Sequence, residues 1–145
     1  MTRQGFLAGL LTPLLTPAVP DAVTDRARME DFCDLFYHQK RVRAAFEAHV
    51  TPDYIQHSLG IGQGREAAIV FLEPMFARPD FILRPERIMI DGDMVTVILN
   101  VTAGTVRAIV VDLFRLKDGK VVEHWDVKSE LAPDIAGSYF AGFTE

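Results

Sequence analysis

Three ionisable side chains, Asp112, His124 and Asp126, lie in a mostly apolar stretch that spans residues 108–128. The Asp118-Gly119 pair in its middle is typical of a tight turn, so the stretch predicts a β-hairpin. Because side chains two residues apart point to the same face of a strand, the three polar groups share one face. That face either is exposed to solvent or lines a cavity, and it also carries Val110, Phe114, Val122 and Lys128.

These residue types suit the movement of protons near neutral pH. An imidazole with an ordinary pKa of about 6.5 can take and return a proton, a role open to His57 and His124. A carboxylic acid in an apolar pocket can stay protonated and donate a hydrogen bond to an enolate, which is the role considered for Asp112. Asp126 could orient His124 or carry a second proton. Together they predict proton abstraction next to a carbonyl group.

Each of these residues also has a purely structural interpretation. His57 could bond a neighbouring carbonyl, Asp112 could pair with an arginine of its own strand, and His124 and Asp126 could bond each other. Tyr54 is equally suited to a pocket wall and to packing, and Asn100 is a weaker candidate for a polar group in the pocket. Apolar residues of the polar hairpin face, and Cys33, complete the set of expected substrate contacts: Cys33, Val110, Phe114 and Val122.

The elements that would position these groups change character along the chain. Thr24 is a candidate N-cap for a helix whose buried stripe contains Met29, Phe32, Cys33 and Phe36. A short second helix and a third over residues 65–76 follow. Beyond them, strand-like runs over 81–90, 94–102, 105–116 and 121–128 are separated by glycine turns. Helices first and a meander of strands afterwards predict an α+β domain with a curved, mostly antiparallel sheet.

Composition excludes several function classes. The chain has 145 residues, 49% of them hydrophobic and 24% charged, as expected for one globular domain. A net charge of −5 without a basic stripe argues against a nucleic-acid partner. The loop at residues 60–64 contains three glycines, but not the spacing of a dinucleotide-binding loop. One cysteine and no metal-ligand spacing predict neither a disulfide nor a metal, and we expect no cofactor.

The two ends of the chain are apolar and lie outside the predicted domain of residues 24–130. Residues 1–23 hold an apolar run broken by three prolines, too short for a membrane span of about 20 residues. We expect an arm packed on the domain or on a second subunit, with a secretory signal as the alternative. The arm interpretation implies a cytoplasmic protein and the signal a periplasmic or secreted one. Residues 131–145 should close the pocket or cross to a partner.

Four sequence elements resemble the SnoaL-like polyketide-cyclase and aldol-condensation group of the nuclear-transport-factor-2-like superfamily. They are Tyr54-Ile55-Gln56-His57, Gly64-Arg65-Glu66, Asp112-Leu113-Phe114-Arg115 and the run from Asp118 to Val127. The resemblance covers about residues 25–130 and implies a cone-shaped domain, in which a bent sheet wraps around the helices and encloses an apolar pocket. It also implies a homodimer, in which the face carrying Trp125 supplies apolar contact surface.

Ketosteroid isomerases, which are related to this group, resemble the chain across the hairpin. Their oxyanion-hole aspartate falls on Asp112, their base at or near His57, and their oxyanion-hole tyrosine near Cys33. A thiol is a weak donor and cannot replace a phenol, so the pattern departs from theirs at that position. The resemblance implies a small cofactor-independent lyase or isomerase for an apolar carbonyl compound, with His57, Asp112, His124 and Asp126 as catalytic residues. A non-catalytic ligand-binding module of the same fold is the alternative.

Overall fold

The helices of the protein precede its sheet. The computed structural model describes residues 22–143, so the predictions for the N-terminal arm lie almost wholly outside the described residues. The helices are α1 (Ala22–Cys33), α2 (Val42–His49) and α3 (Arg65–Phe76), and one π-helical turn, Asp34–His38, extends α1. The start of α1 lies two residues before Thr24, which therefore does not cap it. None of the helices in the described part of the chain is long and apolar enough to cross a membrane.

The π-helical turn has a consequence for packing. In this turn the backbone N–H of Gln39 donates to the carbonyl of Asp34, five residues earlier, at 2.9 Å. The wider turn holds both Phe36 and Tyr37 on the buried side of the helix. Tyr37 is thereby directed towards the sheet, where its hydroxyl meets a residue of the hairpin.

Five strands form one mixed sheet in the order β1-β5-β4-β3-β2. Their bounds are β1 Val50–Gln56, β2 Phe81–Asp91, β3 Met94–Ala103, β4 Val106–Lys117 and β5 Lys120–Glu130. The pairing is antiparallel except between β1 and β5, which run parallel. The α+β architecture with a curved, mostly antiparallel sheet confirms the prediction from the order of elements.

The core lies between the helices and one face of the sheet. Alternation along β3 sorts its side chains: every second one is buried against the helices, and the intervening ones, including Asn100, lie on the outer face. The buried members are Val95, Val97, Leu99 and Val101. Phe32 of α1, Phe46 of α2 and Phe76 of α3 belong to the same buried cluster, so aromatic rings form much of the helical side of the core.

The C-terminal segment continues past the sheet as a series of turns. The backbone N–H of Leu131 donates to the carbonyl of Arg107 at 2.8 Å, which joins the start of the segment to β4. Phe140 is buried, with the rings of Tyr139 and Phe143 5.3 and 5.8 Å away. No residue between 131 and 143 lines the main cavity. Its closure by the tail therefore stays a prediction.

Candidate functional site

A cavity of about 550 Å³ lies between the helices and the inner face of the sheet. Its helical wall is apolar and rich in phenylalanine, with Phe32, Phe36, Phe46 and Phe76 among its residues. The polar groups that face the cavity come almost entirely from β1, β4, β5 and the loop after β1: Tyr54, Gln56, Ser58, Asp112, His124, Asp126, Lys128, Ser129 and Glu130. One wall can therefore exclude water from a ligand while the other offers hydrogen bonds and charge.

The register of β4 and β5 brings three of the predicted residues together. Asp112 pairs directly with Asp126 across the two strands, and Phe114 pairs with His124. Side chains of directly opposed residues have Cβ atoms roughly 5 Å apart and share a face. The ring of His124 stacks on Phe114 with a centroid distance of 4.8 Å. Val110 lines the same wall one step further along β4.

Asp112 is the buried centre of this polar wall. The hydroxyl of Tyr37 donates to its Oδ2 at 2.5 Å, and Nε2 of His124 lies 3.3 Å from its Oδ1. Burial, together with the negative charge of Asp112, raises the pKa of Tyr37 well above its ordinary value, so the phenol keeps its proton and acts as a donor. A bare imidazole nitrogen beside a carboxylate oxygen would be repelled, so the contact favours a proton held between His124 and Asp112.

The other ring nitrogen of His124 is fixed by Gln56. The backbone N–H of Ser58 donates to Oε1 of Gln56 at 2.9 Å, which identifies that atom as the amide oxygen. Nδ1 of His124 lies 2.9 Å from the same oxygen, and an acceptor oxygen requires a donor there. Nδ1 therefore carries a proton. The hydroxyl of Ser58 is a more distant neighbour of Nδ1 at 3.4 Å.

Tyr54 supplies a hydroxyl to the polar wall. It accepts a hydrogen bond from Nε2 of Gln56, and among residues 22–143 its own proton has no acceptor. Burial, followed by the negative charges of Asp112 and Asp126, raises its pKa above the ordinary range. The hydroxyl is therefore a neutral donor, free to bond a ligand oxygen in the cavity.

The structure places His57 outside the cavity. Its side chain stacks on Trp125 with a centroid distance of 4.8 Å and an interplanar angle of 3°, and its Nε2 lies 2.8 Å from Oε1 of Glu123. Arg115 also bonds Glu123, at 3.0 Å. His57 belongs to this cluster on the outer face because Gln56, its neighbour, points inward.

Two of the expected substrate contacts, Asn100 and Cys33, also lie away from the cavity. Asn100, on the outer face of β3, donates to Oε1 of Glu86 at 3.1 Å. Cys33 is buried, but it borders a more open groove between α1 and β2. Burial and the charge of Asp112 raise the pKa of its thiol to about 12, so it remains protonated.

A β-bulge corrects the expected position of Val122. The ladder pairs Leu116 with Val121 but Arg115 with Glu123, so Val122 is the extra residue. The bulge reverses the alternation before His124. Val121, expected on the outer face, therefore lines the cavity in place of Val122.

Sequence reasoning missed Tyr37, Gln56 and Ser58. Two of them carried a usable signal, because Tyr54, Gln56 and Ser58 follow one another with a period of two, as one face of an extended chain requires. His57 has the opposite parity. For Tyr37 the signal was weaker: it lies four residues after Cys33, at the end of the predicted buried stripe.

The titratable side chains of residues 22–143 do not form a recognisable metal centre. In this range, no group of three or more His, Cys, Asp or Glu side chains is arranged to hold an ion. The hydrogen bonds of His124 and Asp112 to Gln56 and Tyr37 account for the arrangement of the polar wall.

Comparison with solved structures places the fold among several enzyme-like relatives. A proposed ketosteroid isomerase from Kribbella flavida is 24% identical, with 79% of this chain and 84% of that chain covered and a TM-score of 0.67. A proposed SnoaL-like polyketide cyclase from Jannaschia sp. is also 24% identical, with coverages of 79% and 91% and a TM-score of 0.61. An LEH-like epoxide hydrolase from M. tuberculosis is 20% identical, with coverages of 76% and 86% and a TM-score of 0.59.

Sequence comparison gives the family. No curated protein matches the chain at a significant level. The profile of the SnoaL-like domain matches residues 22–124, from the start of α1 to His124 of the hairpin. Because this match spans more than half of its length, the chain belongs to the SnoaL-like domain family.

Proposed function

We propose that this chain is a cofactor-independent acid/base enzyme for a small apolar carbonyl compound. The observation that carries the proposal is the polar wall: two opposed aspartates, a histidine and a free tyrosine hydroxyl in an otherwise phenylalanine-rich cavity. The cavity volume of about 550 Å³ lies within the range of small-molecule sites. Titratable groups beside apolar walls are the arrangement expected of general acids and bases.

Asp126 is the best-placed general base. Among residues 22–143 its ionic partner is Lys128, whose Nζ lies 3.7 Å from Oδ2, so the carboxylate oxygens remain free to accept a proton. Removal of a proton from the carbon next to the carbonyl turns the C–H electron pair into a C=C bond and moves negative charge to the carbonyl oxygen. The hydroxyl of Tyr54 can donate to that oxygen and stabilise the enolate.

The His124 and Asp112 pair supplies the second proton site. A proton held between Nε2 and Oδ1 can be delivered to the far carbon of a conjugated enolate, which shifts the double bond and gives isomerisation. Delivered to a hydroxyl on the carbon β to the carbonyl, it lets that group leave as water and gives dehydration. Attack of the enolate on a second carbonyl would give cyclisation. The structural relatives include proposed isomerases and cyclases, which supports this range of reactions.

Deuterium uptake tests the proposal without knowledge of the natural substrate. In D₂O, the wild-type protein should exchange the protons next to the carbonyl of 2-tetralone, an apolar bicyclic ketone, faster than buffer alone. Asp126→Asn should lower the exchange rate by about 10²-fold to 10⁴-fold because it removes the base. Tyr54→Phe should lower it by about 10²-fold because it removes the donor to the enolate.

The matched control is His57→Ala, which removes a histidine from the outer face and should leave exchange within about twofold of wild type. Saturable binding of 2-tetralone and related enones without exchange or turnover would instead support the alternative, a binding module of the same fold. Equal rates in Asp126→Asn and wild type would overturn the assignment of the base.

A second copy of the chain is the proposed partner of the outer face. Ile98, Val111 and Val127 pair in register across three strands, and Leu113 and Trp125 pair beside them. Val127 is 64% exposed in the single chain, and a patch of this kind is typical of an interface.

Sedimentation over a range of concentrations tests the homodimer. The wild type should sediment as a dimer, whereas Val127→Asp should shift it towards the monomer because it places a charge in the patch. Val70→Asp is the matched control, since Val70 is 67% exposed on α3. A wild-type monomer at every concentration would overturn the proposal.

A further inference from the structure

The glycine-containing loop at residues 60–64 returns to β1 and contacts its backbone. The N–H of Gly64 donates to the carbonyl of Tyr54 at 3.2 Å. Gly64 has a φ of +83°, and a Cβ there would lie 3.3 Å from the carbonyl oxygen of Pro52. A Cβ on Gly62 would lie 3.0 Å from Cβ of Ala67. Gly64 therefore allows the close approach of the loop to β1, and Gly62 allows its close approach to α3.

Gln63 makes that approach specific. Its Oε1 accepts the backbone N–H of Gln56 at 3.0 Å, and its Nε2 donates to the backbone carbonyl of Gln56 at 2.6 Å. Both main-chain groups of Gln56 are therefore held by one side chain. These two hydrogen bonds resemble those of a paired strand residue, and they fix the position of the Gln56 backbone from which the side chain extends.

The side chain of Gln56 is equally constrained. Its Oε1 receives the N–H of Ser58, and its Nε2 donates to the hydroxyl of Tyr54, so the amide cannot turn over without losing both bonds. Its oxygen is presented to Nδ1 of His124 at 2.9 Å. The buried amide oxygen selects the imidazole tautomer that carries a proton on Nδ1.

We propose that Gln56 and Gln63 are positioning residues that hold His124 in the Nδ1–H form and so direct its exchangeable proton at Nε2 towards Asp112. Their use in catalysis rests on the proposed function, whereas the tautomer itself does not. Asp112 lies 3.3 Å from Nε2 of His124, and the other charged side chains that line the cavity are Asp126, Lys128 and Glu130. The proton on Nδ1 cannot leave without the loss of the Gln56 bond, so Nε2 is the nitrogen at which a proton can be exchanged.

Nitrogen NMR of the histidine side chains tests the proposal without substrate. Across a pH titration of the wild type, Nδ1 of His124 should keep the shift of a protonated nitrogen, while Nε2 changes. Gln56→Leu removes the amide oxygen that accepts from Nδ1. The neutral imidazole should then carry its proton on Nε2, beside Asp112, and the Nδ1 shift should be the one that changes with pH. In Gln63→Leu both tautomers should be present. His124→Asn assigns the signals.

Gln56→Glu is the conservative variant and guards against a misfolded Gln56→Leu. A carboxylate still accepts from Ser58 and from Nδ1, so the Nδ1–H form should persist. Gln39→Leu is the matched control, because Gln39 bonds Asp34 at the surface, and it should leave the His124 signals unchanged.

The outcomes separate the two proposals. An Nδ1–H form that persists in Gln56→Leu, or an Nε2–H form in the wild type, would overturn the positioning role whatever the enzyme does. If Gln63→Leu left the tautomer of His124 unchanged, Gln63 would have no part in positioning His124. A protein that shows the expected tautomers but no deuterium exchange would contradict the proposed function and leave the positioning role intact.

Discussion

Two histidines lie side by side, His57 directly after the end of β1 and His124 within β5, and their surroundings are opposite. The backbone N–H of His57 donates to the carbonyl of His124 at 3.0 Å, yet the two rings lie on different faces of the sheet. Each ring lies beside a carboxylate: His57 at 2.8 Å from Glu123, and His124 at 3.3 Å from Asp112. Each also stacks on an aromatic ring with a centroid distance of 4.8 Å.

Burial, and not the distance between partners, separates the two pairs. The side chain of His57 is 40% exposed, whereas those of His124 and Asp112 are 12% and 10% exposed. In the single chain, water and salt screen the outer pair, so its contribution to stability is small. In the inner pair the low dielectric makes each charge and each lost hydrogen bond costly. The outer pair suits an interface, and the inner pair suits chemistry.

The largest test of this comparison removes one carboxylate charge from each pair. In Asp112→Asn the amide cannot take up the proton that the carboxylate shares with His124. The deuterium exchange rate with 2-tetralone should therefore fall by about 10²-fold to 10⁴-fold. Glu123→Gln makes the same chemical change on the outer face and should leave the rate within about twofold. Similar losses in both variants would mean that the two faces are coupled and would break the comparison.

The second test concerns the donor behind the inner pair. Tyr37→Phe removes the hydroxyl that donates to Oδ2 of Asp112 and leaves a buried acceptor without its partner. The free energy of unfolding should fall by about 1–3 kcal/mol in urea denaturation at neutral pH. Tyr139→Phe, in the exposed C-terminal segment, is the matched control and should change it by less than about 0.5 kcal/mol. An unchanged stability in Tyr37→Phe would contradict the buried hydrogen bond.

The fold could be predicted from the sequence because its signals are local. Glycines with positive φ separate the last four strands at Gly92, Gly104 and Gly119, and alternation along β4 correctly places Asp112 with Phe114. The predicted third helix, residues 65–76, has the observed bounds of α3. These patterns depend on the backbone and on burial within each element.

The site was less predictable because it depends on irregularities in those elements. The π-helical turn after α1 directs Tyr37 at Asp112, and the bulge at Val122 exchanges Val121 for Val122 in the cavity. Neither the π-helical turn nor the β-bulge has a sequence signal as strong as the glycine of a tight turn. Strand parity could have distinguished Gln56 from His57, but only with the knowledge that the alternation of β1 continues past its end at Gln56, with His57 outside and Ser58 facing the cavity.

The smallest expected effect is a change in melting temperature caused by a substitution on the outer face, and this change depends on pH and on salt. The hydrogen bond from His57, and then that from Arg115, lower the pKa of Glu123. A carboxyl group with a lower pKa in the folded state stabilises the fold above its unfolded pKa of about 4.3, and this contribution disappears as the pH falls through the folded value. Glu123→Gln should therefore melt slightly below the wild type at pH 7, with the difference vanishing in acid.

The salt dependence of the melting temperature then distinguishes the outer face of the sheet from the inner face. Because Glu123 is near the surface, added salt should shrink the difference in melting temperature between Glu123→Gln and the wild type. The corresponding difference for Tyr37→Phe should persist at the same salt concentration, since the bond that it loses is buried and poorly screened. If the Glu123→Gln difference resisted salt as well, the outer cluster would have to be shielded from solvent, as it would be under a second copy of the chain.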